Sequence, residues 1–406
     1  MIARAAELTL VLLWVRMVLT CMLGAWACRR RRTGPPRDAP DPGEPASFAT
    51  ARVSIVVPAF DEAQAIEATL RALQGLVPAP LEIIVVDDGS GDATCAIAQR
   101  CLDCDGQGRV IRLAANAGKA AALRIGIAAA RGDFVLTVDA DTCLAPDSLA
   151  AALATLQHRH ADAVAFCLEA APANGMPAKL QRQEYAASLD FERAAQDAVA
   201  AISVLPGAAC LFRREVLLRH PFSARTRTED ADLTLTLARH GACIVRAPEA
   251  VARTLVPASW SGLVAQRTRW ITGHVQCCAR QAARLPQATW RFRLLVFPNF
   301  VLSTFLAPAG ALSLLALWAG GGGRLLPLDA WGATAVSTLL VYLQRGVGLR
   351  CAPRRFRPLV RHFVLEPAVS GLVGTVCFAC AVRDLLLDAL RGSLGRARGT
   401  AWRAGK

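Results

Sequence analysis

Residues Leu8 to Cys28 form an apolar run with a single charge, Arg16, and four arginines, Arg29 to Arg32, follow at once. The run is long enough to cross a bilayer as one helix. Ala25-Trp26-Ala27 resembles a signal-peptidase site, but arginines just beyond such a site oppose export. The expectation is therefore an uncleaved anchor whose far end is cytoplasmic. Arg16 is costly at mid-membrane unless it snorkels or faces protein or water.

The C-terminal third has the same character. Leu294 to Gly323 is uncharged, Leu325 to Leu343 carries only Asp329, and Phe363 to Val382 only Glu366. The connector Arg345–Arg361 holds six arginines and reads as cytoplasmic. Traced from it, the middle of the chain is cytoplasmic too. Three passes after residue 290 would leave the tail outside, although residues 391–406 carry five basic residues. Either the last segment is re-entrant or interfacial, or the tail breaks the charge rule. The expected organisation is an anchor at 8–28, a basic and Pro-rich linker at 29–51, a globular domain at 52–290, a membrane region of two to three helices at 294–389 and a basic tail at 390–406. A bacterial inner-membrane protein with a cytoplasmic domain fits this layout.

The net charge of +14 is almost all arginine, with lysine only at 119, 179 and 406. No aromatic-interleaved basic run or helix-turn-helix pattern accompanies it, so nucleic acid is not an expected partner. Arginine and alanine are abundant throughout, so a single arginine carries little information. The 14 cysteines show no zinc spacing: Cys101-x-x-Cys104 and Cys377-x-x-Cys380 lack a second pair or histidines. His158, His160 and His274 read as structural or exposed.

Within 52–290, apolar runs at 53–57 (stopped by Pro58), 82–87, 109–113 and 134–139 alternate with helical patterns at 61–75, 92–102 and 117–130. Alternation of this kind predicts an open parallel α/β sheet. Ligands in such sheets bind beyond the carboxyl ends of the strands. Asp87 and Asp88 fall at one such end, Asp139 and Asp141 at another. Carboxylates at a ligand cleft suit a divalent ion held by one or two of them plus phosphate oxygens. No G-x-x-x-x-G-K-[ST] loop is present, which excludes P-loop chemistry. Asp230 opens a helical pattern, where it would either cap the helix or act as a base.

In order along the chain, "VSIVVPAFDEA" (53–63), "IIVVDDGSGDAT" (83–94), "NAGKAAALRIG" (116–126), "VDADT" (138–142), "GAACLFRREVL" (207–217), "TEDADLTLTLARHG" (228–241) and "QRTRW" (266–270) occur. Together they resemble the blocks of family 2 glycosyltransferases, of the membrane-embedded branch with poly-N-acetylglucosamine, cellulose and hyaluronan synthases. The resemblance implies a GT-A, Rossmann-like domain with transmembrane helices. It implies a UDP-sugar donor bound by Pro58, Phe60, Glu62, Asp87, Asp88, Lys119 and Asp139. Which of Asp87 and Asp88 meets the base stays open. It further implies Mg2+ or Mn2+ on Asp139 and Asp141, Asp230 as general base with Glu229 beside it, and Gln266, Arg267, Arg269 and Trp270 at the diphosphate and acceptor. Phe60 and Asp61 stand where the family commonly has tyrosine and asparagine. The "GAACLFRRE" block leans towards the poly-N-acetylglucosamine type.

The implied activity is inverting, metal-dependent and processive, secreting a polysaccharide through membrane helices, with lipids and a small membrane subunit as further partners. A single transfer to a lipid acceptor is the nearer alternative. A non-catalytic scaffold and a pure transporter are the remaining ones. Intact aspartates at all three acidic blocks speak against a scaffold, and three or four helices make a thin pore.

Overall fold

The computed structural model describes residues 2–33, 51–103, 106, 108–320, 329–352 and 360–390. Most of the linker, the glycine-rich 321–328, most of the arginine connector and the tail at 391–406 lie outside them, as does Cys104. Helix α1 (Ile2–Thr33) precedes a mixed domain that opens with β1 (Val53–Ala59), α2 (Ile66–Gln74), β2 (Glu82–Asp87), α3 (Thr94–Asp103), β3 (Gly108–Arg112), α4 (Lys119–Ala129) and β4 (Phe134–Val138). It continues with β5 (Thr142–Leu144), α5 (Ser148–His158), β6 (Ala163–Ala170), α6 (Met176–Glu184) and α7 (Asp190–Ala198), the last two joined by a π turn at Tyr185–Leu189. Then come β7 (Ala209–Arg213), α8 (Arg214–Arg219), α9 (Glu229–Arg239), β8 (Ile244–Thr254) and α10 (Trp260–Ala282). The long helices α11 (Phe297–Gly320), α12 (Ala330–Cys351) and α13 (Val360–Leu390) close the chain.

The sheet has eight strands in the order β3-β2-β1-β4-β7-β6-β8-β5. The parallel half read from sequence is present: β3, β2, β1 and β4 pair in parallel. Beyond it the sheet is mixed, not parallel, because β7 runs antiparallel to both β4 and β6. Strand β1 also passes through Pro58 to Ala59 instead of stopping. Its pairing with β4 ends at Val56↔Thr137, so Pro58 sits where β1 continues against β2 alone and its missing N–H costs the β4 ladder nothing.

Side chains alternate across β1 as a two-residue period requires. Val53, Ile55 and Val57 enter one core with Leu70 of α2 and Leu149 of α5. Val56 enters the opposite core with Leu123 of α4, Leu233 of α9 and Phe300 of α11. The sheet is thus covered on both faces, and its strand ends are left for a site.

Three described helices are long and apolar enough to cross a membrane: Ala3–Arg30, Phe292–Ala319 and His362–Ala389. Helix α1 runs on into the four arginines instead of ending at Cys28. Its first half packs Ala6 and Leu10 against Leu317 of α11 and Ala333 of α12, and Trp14 Nε1 donates to Ser337 Oγ at 2.9 Å. Arg16 does not need to snorkel: it meets Glu192 of α7 at 3.6 Å, and Gly24 lies against the Phe191 ring. Helix α12 carries Arg345 and Arg350 inside it, so the helix reaches further than the apolar run predicts.

Helix α13 lies along the mixed domain. Near its start Glu366 pairs with Arg345 at 3.1 Å. Midway, Cys377 Sγ reaches Val264 O of α10. At its far end Asp384 and Asp388 meet Arg227 at 3.5 and 3.2 Å.

Candidate active site

Lys119 is the first residue of α4, after a turn whose Gly118 has φ +90°. That turn is fixed by Asp88, whose two oxygens accept from Ala117 N and Gly118 N, each at 2.8 Å. Both Asp88 oxygens are therefore engaged with backbone. Burial raises the Asp88 carboxyl above its ordinary range, against those two hydrogen bonds. Asp87 is fully buried, accepts from Ser90 N at 3.3 Å and lies 3.5 Å from Arg112.

The ammonium of Lys119 lies 2.6 Å from Asp139 Oδ1 and 3.3 Å from Glu229 Oε1. Burial alone would lower its pKa, but Asp139 and Glu229 outweigh that and hold it above the usual lysine range. One cation thus joins the end of β4 to the start of α9. Asp141, two residues on, is pushed up to about 7 by burial, then by Asp139 and Glu62. Its Oδ1 lies 3.3 and 3.4 Å from the hydroxyls of Thr142 and Thr254.

Asp230 is the second residue of α9, and Thr228, not Asp230, holds the cap position. Its Oδ2 accepts from Gly207 N at 3.1 Å and its Oδ1 from Ala231 N at 2.8 Å. Gly207 belongs to the Leu205-Pro206-Gly207 turn leading into β7, and Ala208 O accepts from Asp139 N at 3.0 Å. The antiparallel β7 therefore carries this turn between Asp139 and Asp230. Thr234 Oγ1 fastens the arrangement, accepting from Leu205 N at 2.9 Å and donating to Asp230 O. From below, Gly273 of α10 abuts Thr228 so closely that a Cβ there would overlap the threonine hydroxyl.

Burial, then Glu229, pushes Asp230 up to about 6. Lys119 and Arg269 act in the opposite direction, and Arg269 also favours the ionised form of Asp139. Its neighbour Arg267 is held elsewhere, 2.7 Å from Glu184 and with its guanidinium 4.6 Å from the centre of the Trp270 ring. Gln266 Oε1 is buried without a hydrogen-bond partner. Pro58 is the penultimate residue of β1, near the same end of the sheet. Asp61, with φ +53°, takes the left-handed turn that asparagine and aspartate tolerate best, and Asp61 Oδ1 accepts from Gly91 N at 2.8 Å. Glu62 is buried, and its backbone N–H donates to Thr94 Oγ1. Phe60 is half-buried.

Lys119, Asp139, Asp141, Glu229, Asp230 and Arg269 are thus drawn together, whereas Asp88 and Arg267 are committed to holding neighbouring segments. Gly207, Thr234 and Glu184 were not singled out from sequence. The Pro-Gly pair at 206–207 is a turn signal that would have located the first; the other two have none. His158 and His160 are exposed and His274 packs on Phe300, where burial lowers it to about 4. None of the described cysteines is in a disulfide.

The profile of glycosyltransferase-like family 2 matches residues 51–273, more than half of the chain. The chain belongs to glycosyltransferase-like family 2. Among curated relatives of this glycosyltransferase-like chain, an N-acetylglucosaminyltransferase of Sinorhizobium fredii is 31% identical over 237 residues, 55% of this chain and 57% of that protein. A poly-beta-1,6-N-acetyl-D-glucosamine synthase of Staphylococcus aureus is 28% identical over 223 residues, 54% of each chain. The match thus spans about half the length of these relatives. Among solved structures, the Pyrobaculum calidifontis mannosyltransferase PcManGT, in complex with GDP-Man and Mn2+, superposes with a TM-score of 0.60 at 24% identity, over 90% of this chain and 99% of that one. The fold is therefore that of GT-A glycosyltransferases.

Difference infrared spectroscopy of this family 2 protein against Asp230→Asn should reveal a carboxyl titrating near pH 6. A midpoint near 4, the ordinary aspartate range, would contradict the desolvated seat described for Asp230.

Proposed function

We propose that this chain is a membrane-integral, inverting glycosyltransferase that moves a sugar from a UDP-sugar to a growing polysaccharide. One observation carries the reading: Lys119 gathers Asp139 from a strand end and Glu229 from a helix start, with Asp230 and Arg269 within electrostatic reach. Such an edge can meet a diphosphate and hold a base against an acceptor at the same time.

Asp139 and Asp141 fit a hard cation, Mg2+ or Mn2+. Burial raises both carboxyls, with Glu229 adding to it at Asp139 and Asp139 and Glu62 adding to it at Asp141, and a cation would offset this. Among the described residues no group of three or more His, Cys, Asp or Glu closes a cage. That suits a cation completed by phosphate oxygens and water. When bound, it supplies charge for the departing diphosphate.

Asp230 serves as general base. Each of its oxygens accepts one backbone N–H, leaving lone pairs for the acceptor's hydroxyl proton. Loss of its proton to Asp230 makes the acceptor hydroxyl oxygen the nucleophile: its bond to the anomeric carbon forms as the bond from that carbon to the UDP oxygen breaks on the opposite face. Above pH about 6 the base is ionised and ready. Arg269 offers the diphosphate a planar pair of donors, and Lys119 a point charge. Trp270, backed by Arg267 and Glu184, gives a sugar ring a flat apolar face. Asp87, whose Oδ2 is buried without a hydrogen-bond partner among the described residues, is assigned to the nucleoside. The N-acetylglucosamine-related names of the curated relatives favour an N-acetylhexosamine donor and repeated transfer.

For the membrane we infer that α1 and α11 cross it, that α12, less apolar than the three candidate spans, returns across it, and that α13 lies in its cytoplasmic face. A helix of this length would carry its far end across a bilayer if it crossed, yet contacts at both ends of α13 are with the rest of the described assembly on the Arg227 and Arg345 side. Exposed Leu372, Val376 and Leu386 would then face lipid in plane. This arrangement keeps the basic tail with the other basic segments and removes the conflict with the charge rule.

Asp230→Asn should fold and bind UDP normally while losing about 10²–10⁴ in turnover; near wild-type turnover would reduce Asp230 to a helix-start residue. Excess EDTA should abolish activity, and Asp139→Asn should weaken metal-dependent UDP binding in calorimetry. Undiminished activity in EDTA would count against the cation. In intact cells, a membrane-impermeant thiol probe should miss Cys95 to Cys278 and a cysteine introduced by Ser393→Cys in the tail. Labelling of the former from outside overturns the cytoplasmic domain; labelling of the latter makes α13 a span.

A further inference from the structure

Helix α9 ends in a charged surface opposite in sign to the one where it begins. An open cavity of about 980 Å³ there is lined by six arginines, Arg124, Arg219, Arg225, Arg239, Arg280 and Arg284. They come from α4, α8, the loop before α9, the end of α9, and α10 with the turn that follows it. Two have carboxylate partners: Arg219 meets Glu215 at 2.9 Å and Arg225 meets Asp232 at 3.0 Å. Among the described residues the other four make no ion pair, and Arg239 Nε is buried without an acceptor.

Arginine is common in this chain, so a solvated basic surface must be weighed. Convergence from separate elements on one concavity argues otherwise. So does the cost of confining like charges: burial, then Arg284 and Arg225, lowers the Arg239 pKa from its usual value. Two histidines form part of the wall, His220 stacked on His240 at 4.5 Å and 26°. His240 Nδ1 lies 2.8 Å from Thr236 O, which fixes the proton on that nitrogen and leaves Nε2 as the acceptor. The wall is then flat and carries no negative group.

We propose that this cavity binds a phosphate-bearing anion at a site distinct from the donor site. Guanidinium forks match phosphate oxygens in pairs, and an anion here would offset the repulsion that Arg284 and Arg225 exert on Arg239. The same chemistry has two sources. One is a soluble phosphate compound. The other is the headgroup of an anionic lipid, since the apolar span beginning at Phe292 follows Arg284 within a few residues. Phe222 lines both this cavity and the small cleft of Lys119, Glu229 and Asp230, so the two sites share a wall.

The test uses the full-length protein in detergent with saturating UDP and Mg2+, which keeps the donor site filled. Inorganic phosphate is titrated by calorimetry, and retained phosphatidylglycerol is counted against phosphatidylcholine by native mass spectrometry. Replacing Arg239→Gln and Arg284→Gln together should weaken one of the two by about tenfold or more, with UDP affinity unchanged. Loss of phosphate binding assigns a soluble ligand; loss of phosphatidylglycerol retention assigns a headgroup. If this variant also loses UDP binding, Arg124→Gln with Arg280→Gln is measured in its place. Equal binding of both probes by wild type and by a variant that keeps its UDP affinity overturns the proposal.

Discussion

The ion pair between Lys119 and Asp139 is the contact on which the arrangement of the acidic edge depends. Carboxylates from β4, α9 and the following loop would repel one another if they shared a partly buried space without a cation. The lysine ends at a point that no arginine fork of similar length would fill as compactly. Its position is set in turn by Asp88, which holds the two backbone N–H groups before α4. A buried carboxylate at one strand end thus determines where a cation at the next one lies.

The same edge is supported from three further directions. Antiparallel β7 brings Gly207 to Asp230, α10 presses Gly273 under Thr228, and α13 holds Arg227, one residue before Thr228, through Asp384 and Asp388. The start of α9 is therefore tied to the sheet, to the helix carrying Arg269 and to the apolar helix that closes the chain. Contacts of this kind keep reacting groups in place without reorganisation during a reaction, which is where preorganised sites gain most. They also connect α13 with the start of α9, where Asp230 lies.

Much of this could be read from residues alone where the pattern was local. The strand ends at Asp87 and just before Asp139 follow from short continuous apolar runs, buried on both faces of the sheet, and β2 begins and ends where its run does. The seven ordered blocks carry the resemblance to the family by themselves. What escaped was non-local. Strand β7 lies in a block read for its resemblance and not for its period, so the mixed sheet was missed and, with it, the Gly207 seat. Arg16 looked isolated because its partner Glu192 lies far along the chain. Glu184 and the arginine cavity share this property: each arises from residues distant in sequence that meet only after folding. Pro58 misled for the opposite reason, since a local rule against proline in strands was overridden by the point at which β4 leaves β1.

Thermal unfolding of Lys119→Met across pH tests the central claim most directly. Burial pushes the Asp230 carboxyl up to about 6 and raises that of Asp139, so the negative charge on this edge grows as pH rises. The stabilising contribution of Lys119 should therefore increase as pH rises through about 6, while the lysine stays charged. The wild type should unfold at a higher temperature than Lys119→Met by a margin that widens from pH 5 to pH 8. A margin independent of pH, or none, would contradict it.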